Sequence, residues 1–176
     1  MYKTVVFDLD GTLLNTLTDL ADAGNRLCRK YGWPTHERQA YRYFVGNGIP
    51  KLVERLTPAD QRTPAVLEVA LADFKRDYGQ HLRDTTAPYP GIPEMLAKLK
   101  ANGVQLAVFS NKADALAKEV VKDYFGTQYF TIVRGQMTGV APKPAAEGTN
   151  ALLQALHADP ASTLYVGDSN VDVETA

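Results

Sequence analysis

A strand that ends on two carboxylates constrains this chain more than any other feature. The opening Lys3-Thr-Val-Val-Phe-Asp8-Leu-Asp10-Gly11-Thr12 begins as an apolar, β-branched run and then delivers two acids and a glycine turn. That pattern predicts a buried parallel strand. Buried unpaired charge is very costly, so a metal or a cationic side chain must sit beside those acids. In open α/β sheets the carboxyl ends of the strands are where ligands bind. Asp8 and Asp10 are two residues apart, and on an extended chain their side chains leave on the same side. Such a pair reads as a metal site, as a nucleophile with its acid/base partner, or as both.

Three later segments repeat the design. Gly103-Val-Gln-Leu-Ala-Val-Phe109 is an apolar run that delivers Ser110-Asn111-Lys112, and Thr163-Leu-Tyr-Val166 delivers Gly167-Asp168-Ser169. A weaker run, Tyr129-Phe-Thr-Ile-Val133, precedes a glycine-containing loop that leads to Lys143. Helical spacing fills the gaps. Ile92, Met95, Leu96 and Leu99 stop at Asn102-Gly103, and Leu116, Val120 and Tyr124 stop at Gly126. Leu152, Leu153 and Leu156 lie on a helix that Pro144 can start. Strands alternating with helices predict an α/β fold, a Rossmann-like, doubly wound parallel sheet.

Residues 15–89 interrupt the alternation. Leu17, Leu20, Ala21, Gly24, Leu27 and Tyr31 mark one amphipathic helix, and Leu67, Leu71, Phe74 and Tyr78 mark another. Between them Gly46-Asn47-Gly48 feeds a shorter helix carrying Leu52, Val53 and Leu56. No strand is expected here. The segment reads as an all-helical cap inserted after the first strand and rejoining through the hinge Ala87-Pro88-Tyr89-Pro90-Gly91. The catalytic core is then 1–14 plus 90–176.

The chain's 176 residues suffice for one core with a small inserted module. Its 19 basic and 20 acidic residues give a net charge of −1 with no long single-sign block, which argues against nucleic acid or a membrane surface as partner. A lone cysteine, Cys28, fits a reducing compartment. No signal-peptide core and no run of roughly 18 apolar residues is present, so a soluble cytoplasmic protein is expected.

Setting each polar cluster at its strand end gathers Asp8, Asp10, Ser110, Lys143 and Asp168 along one edge of the sheet. Oxygen ligands in that number suit Mg²⁺, which keeps waters for a phosphate to replace. The lysine and the Ser110 hydroxyl would neutralise and position phosphoryl oxygens. Asp168 and Asp172, four apart at the start of a helical segment, share a face near its positive end. Lys112 reads as a solvated first-turn residue, and Ser110 as a helix N-cap that also serves the site. Gly46-Asn47-Gly48 is either a simple turn or a substrate loop whose backbone amides face the carboxylate of a small substrate. Trp33, His36, His81 and Cys28 pack in or decorate the cap.

Asp8-Leu-Asp10-Gly-Thr12, Ser110-Asn111-Lys112, Lys143-Pro144 and Gly167-Asp168-Ser169-Asn170-Val171-Asp172 match, in order, the four motifs of the haloacid dehalogenase superfamily. The helical insert and the Pro90-Gly91 hinge resemble its phosphoglycolate-phosphatase-like branch. The resemblance implies that Asp8 is the nucleophile, forming an aspartyl-phosphate, and Asp10 the general acid and then base. It implies that Ser110, Asn111 and Lys143 hold the phosphoryl group. Mg²⁺ would be bound by Asp8, the backbone carbonyl of Asp10, and Asp168, with Asp172 in support. The implied activity is a Mg²⁺-dependent phosphomonoester hydrolase acting on a small phosphorylated metabolite, 2-phosphoglycolate foremost.

A phosphosugar mutase shares fold and nucleophile, but the mutase branch tends to valine where Thr12 stands. Asn15 replaces an aspartate common in relatives, outside the chemistry. The chain stops at Ala176, six residues into the helix that Val171 begins. Relatives usually continue through another strand and helix, so a sheet lacking that last strand and helix is expected here. That ending suggests a catalytically weak phosphate-binding or interaction module as a further alternative. It also suggests a homodimer through the sheet edge left exposed by the Thr163–Val166 strand.

Overall fold

The computed structural model describes residues 2–176. Along the chain run β1 (Thr4–Phe7), β2 (Leu14–Asn15), α1 (Leu17–Tyr31), α2 (Tyr41–Phe44), α3 (Ile49–Leu56), α4 (Pro64–Gln80) and β3 (Ala87–Pro88). There follow α5 (Ile92–Ala101), β4 (Gln105–Ala113), α6 (Asp114–Phe125), β5 (Phe130–Gln136), α7 (Ala146–Leu156), β6 (Thr163–Val166) and α8 (Asn170–Thr175). The chain divides into two compact units, one made of the residues up to Asn15 and from Pro88 on, the other of Thr16–Ala87.

The first unit is built on a parallel four-stranded sheet of order β5-β4-β1-β6. β1 is central, and its four residues are all buried, as an apolar β-branched run should be in a sheet covered on both faces. Against the sheet, Val6, Ala107 and Phe109 pack with Leu152 and Leu156 of α7, with Ile132 and Tyr165 at the margin. β6 pairs with β1 and forms an edge of the described sheet. Two helical details differ from the sequence pattern. The buried face of α6 is Ala117, Val120, Val121 and Phe125, so small and C-terminal residues rather than Leu116 face the sheet. α7 begins at Ala146, after Pro144, which instead closes the loop that carries Lys143.

The second unit is helical. α1 packs on α4, and α3 packs on both. Leu20, Ala23 and Leu27 of α1, Leu52, Val53 and Leu56 of α3, and Ala70, Phe74 and Tyr78 of α4 are buried. A short strand, β3, does occur in the rejoining segment, where none was expected. Asp19, in the first turn of α1, closes the unit on itself. Its carboxylate accepts from the Thr85 and Thr86 backbone amides at 2.9 Å each and from their hydroxyls at 2.6 and 2.7 Å. Trp33 and Cys28 are buried, and His81 pairs at 2.7 Å with Asp84. Among the described residues no helix is long and apolar enough to cross a membrane.

Candidate active site

Sheet register sets the site. Phe7 of β1 lies opposite Val108 of β4 and Val166 of β6, so the polar residues just beyond these positions emerge along one edge. The Asp8 amide donates to Val166 O at 2.8 Å, which extends the pairing to the first acid. Pairing of β4 with β5 is irregular between Phe109 and Ala113, the stretch that carries Ser110, Asn111 and Lys112. Such an irregularity re-aims side chains at a strand end.

Lys143 is the hub. Its side chain is 2% exposed. Nζ lies 2.7 Å from Asp8 Oδ1, 2.7 Å from Asp172 Oδ1, 2.9 Å from the Tyr165 hydroxyl and 3.1 Å from Phe109 O. Burial disfavours the ammonium, but Asp8, Tyr165 and Asp172 outweigh it and hold the lysine above its ordinary range. Burial pushes the Asp8 carboxyl from 3.8 up to about 6, against the pull of Lys143 and with the repulsion of Asp172 and Asp10 added. For Asp172, burial loses to Lys143 and to the bonds from Ser169, and its carboxyl is held below the usual range.

Asn111 brackets the lysine's backbone. The Lys143 amide donates to Asn111 Oδ1 at 2.8 Å, and Asn111 Nδ2 donates to Lys143 O at 3.2 Å. Ser110 is buried, and its Oγ accepts the Lys112 amide at 3.2 Å. It caps no helix, because β4 runs on to Ala113 and α6 starts at Asp114.

The same extension corrects the reading of Lys112. It is a strand residue with a side chain 2% exposed, and its Nζ lies 3.1 and 3.2 Å from the two Asp10 oxygens. A buried ammonium needs an anion, and Asp10 lies within reach. The two acids that follow β1 therefore hold different cations, Asp8 with Lys143 and Asp10 with Lys112.

On the β6 side, Asp168 accepts from the Thr12 hydroxyl at 3.3 Å. Gly11 is required there: φ is +93°, and a Cβ would lie 2.3 Å from Asp168 Oδ2. Asp172 stands three residues past the N-cap Ser169 and forms a capping box with it, Oδ2 taking the Ser169 amide at 3.0 Å and its hydroxyl at 2.6 Å. Tyr165 and Lys112 went unrecognised in the sequence. Lys112 had a signal, since Asp10 needed a cation and a second lysine followed Ser110-Asn111; Tyr165 looked like any strand aromatic.

One oxygen from each of Asp8, Asp168 and Asp172 lies within 4.8 Å of the others. Burial, then the charge of Asp172, raises the Asp168 carboxyl as well. A clustered, mutually repelling, all-oxygen donor set fits a hard divalent cation such as Mg²⁺. Both Asp172 oxygens already serve Lys143 and Ser169, which leaves Asp8 and Asp168 as the freer donors.

Gly46-Asn47-Gly48 belongs to the second unit. Gly46 and Gly48 have φ of +100° and +83°, and α3 begins directly after them. Arg55 of α3 holds the turn, donating to Phe44 O at 2.7 Å and to Asn47 Oδ1 at 3.0 Å.

The chain is 32% identical to a phosphoglycolate phosphatase of Thiobacillus denitrificans, over 99% of this chain and 78% of that one. It is 33% identical to one of Neisseria meningitidis, over 99% and 75%. It matches a solved structure from Lactobacillus delbrueckii subsp. bulgaricus, named provisionally as a phosphoglycolate phosphatase, with a TM-score of 0.92. The identity there is 28%, over 99% of this chain and 82% of that one. The family model of haloacid dehalogenase-like hydrolases matches residues 5–176, and the chain belongs to that family.

Proposed function

We propose that the chain is a Mg²⁺-dependent phosphomonoester hydrolase of small phosphorylated metabolites, 2-phosphoglycolate foremost, working through a phosphorylated Asp8. The observation that carries this reading is the buried Asp8–Lys143 contact of 2.7 Å beside Asp168 and Asp172. A carboxylate can attack a dianionic phosphate only where cations offset the repulsion. The choice of substrate is supported by the relatives named above.

In the first step an Asp8 oxygen forms a bond to phosphorus while the bond to the leaving oxygen breaks, and Asp10 supplies the proton that oxygen needs. In the second step Asp10 takes a proton from water as it attacks phosphorus, releasing phosphate and restoring Asp8. Lys143 and Ser110 hold phosphoryl oxygens, and Asn111 fixes Lys143 by its backbone. A Mg²⁺ ion held by Asp8, Asp168 and the Asp10 carbonyl, with Asp172 in support, would supply charge neutralisation to the phosphoryl group. The helical second unit serves as the cap, with Gly46-Asn47-Gly48 reading the substrate's carboxylate through its amides.

The test is hydrolysis of an aryl phosphate with Mg²⁺ and with a chelator, followed by a panel of small phosphate esters. Mg²⁺-dependent release of phosphate is expected, with the highest kcat/KM for 2-phosphoglycolate. No hydrolysis of any ester with Mg²⁺ present would overturn the reading.

A further inference from the structure

Among the side chains whose polar atoms bond Lys143 Nζ, Tyr165 is the one to which the two-step chemistry gives no role. Its hydroxyl lies 2.9 Å from Lys143 Nζ, 3.2 Å from Asp172 Oδ1 and 3.3 Å from Phe109 O. Its ring packs against the core formed by Val6, Ala107, Phe109, Leu152 and Leu156, so the hydroxyl is fixed by the fold rather than by a flexible arm. Burial, opposed by Lys143, holds the phenol above its ordinary range, and the group keeps its proton at neutral pH.

The protons can be counted. An ammonium donates three hydrogen bonds and accepts none, whereas a phenol donates one and also accepts. Around Lys143 Nζ stand four oxygens: Asp8 Oδ1, Asp172 Oδ1, Phe109 O and Tyr165 Oη. Three ammonium protons and one phenol proton satisfy all of them in the free protein. Once an N–H turns to a phosphoryl oxygen, the ammonium keeps two protons for Asp8, Phe109 and Asp172. The phenol proton then covers the remaining oxygen, and Asp172 Oδ1 is within its reach.

We propose that Tyr165 is a positioning residue for phosphate binding: its hydroxyl takes over Asp172 Oδ1 when Lys143 turns an N–H to the phosphoryl group. The inference rests on the phosphatase reading. It makes an asymmetric prediction for Tyr165→Phe. In the free protein the ammonium still has Asp8, Asp172 and Phe109 for its three protons, so little is lost. In the phosphate-bound protein one buried acceptor is left without a donor.

Inorganic phosphate is the probe, measured as a competitive inhibitor of Mg²⁺-dependent aryl phosphate hydrolysis, alongside thermal melting without phosphate. For Tyr165→Phe the inhibition constant is expected to rise by about 5–10-fold, the usual effect of an unsatisfied buried polar group. KM should rise in step while kcat moves less, and the phosphate-free melting temperature should stay at the parent value. An unchanged inhibition constant overturns the proposal. So does a variant that fails to fold or melts well below the parent without phosphate, since the hydroxyl would then be a structural group. A parent protein that neither hydrolyses the ester nor binds phosphate fails at the phosphatase reading instead, and takes this inference with it.

Discussion

Lys143 Nζ lies 2.7 Å from Asp8 Oδ1, joining a loop after β5 to the end of the central strand β1. The contact offsets only part of the cost of burying the acid, whose carboxyl stands at about 6 against an ordinary 3.8. A carboxyl raised on folding binds its proton more tightly in the folded state. Its contribution to stability is therefore largest below pH 3.8 and is lost as pH rises toward 6. At neutral pH the ionised Asp8 is a strained element of the metal-free protein.

Asp8→Asn keeps the size of the side chain and removes that charge. Turnover should fall by roughly 10⁴-fold or more, the scale of losing a nucleophile. The metal-free variant at pH 7 should nevertheless melt no lower than the parent. Retained turnover would remove the aspartyl-phosphate mechanism, and a clearly lower melting temperature would show that Asp8 supports the fold.

Asp10 and Lys112 should behave as one unit. Asp10→Asn is expected to slow turnover by about 10²–10⁴-fold, the range for a general acid and base. An activated aryl leaving group should mask its effect on the first step but not on the second. Lys112→Met removes the cation 3.1 Å from Asp10, whose side chain is 22% exposed and so partly solvated. The stability cost should be about 1–3 kcal/mol, below that of breaking a fully buried pair. Its kinetic defect should show the same dependence on leaving group as Asp10→Asn. A defect that is uniform across leaving groups would separate Lys112 from the acid/base step.

The strand ends were legible because each is an apolar run stopped by a local polar cluster, a signal contained within about ten residues. The four clusters could be assigned to one edge because parallel strands of a doubly wound sheet all point the same way. What escaped were relationships across long stretches of chain. Lys112 looked like a first-turn residue because Ser110-Asn111 resembles a helix start, while the pairing of Ala113 with Gln136 keeps the backbone extended. Tyr165 and the Asp19–Thr85–Thr86 closure depend on distances that no periodicity encodes. On α6 the spacing of Leu116, Val120 and Tyr124 finds Val120, while Ala117, Val121 and Phe125 carry the rest of the buried face.

Asp19 should make the helical unit acid-sensitive. Burial works against its charge, but the hydroxyls and amides of Thr85 and Thr86 win and lower its carboxyl below 3.8. A lowered acid contributes stability that is complete above its unfolded pKa and is lost as pH falls through the folded one. The loss should therefore begin below about pH 4. Asp19→Ala should lower the melting temperature at pH 7 and flatten the pH dependence of melting in the acid range. Parent and variant that lose stability in parallel below pH 4 would show that another group controls the acid transition.

The turn before α3 offers a test of specificity. Gly46 and Gly48 hold φ of +100° and +83°, conformations that a β-branched residue adopts only with strain. Arg55 pins the same turn through Phe44 O and Asn47 Oδ1, so the amides of this segment are presented in one arrangement. Gly46→Val or Gly48→Val should disturb that arrangement and block close approach of a ligand to the backbone. If the turn reads a carboxylate, kcat/KM for 2-phosphoglycolate should fall by about tenfold or more, the scale of one to two lost hydrogen bonds to a charged group. The rate with an aryl phosphate that lacks a carboxylate should fall much less. Arg55→Met should give the same selective loss in milder form, because it loosens the turn without adding bulk. Equal losses on both substrates, accompanied by a lower melting temperature, would make the turn a structural element of the helical unit and leave substrate choice to other residues.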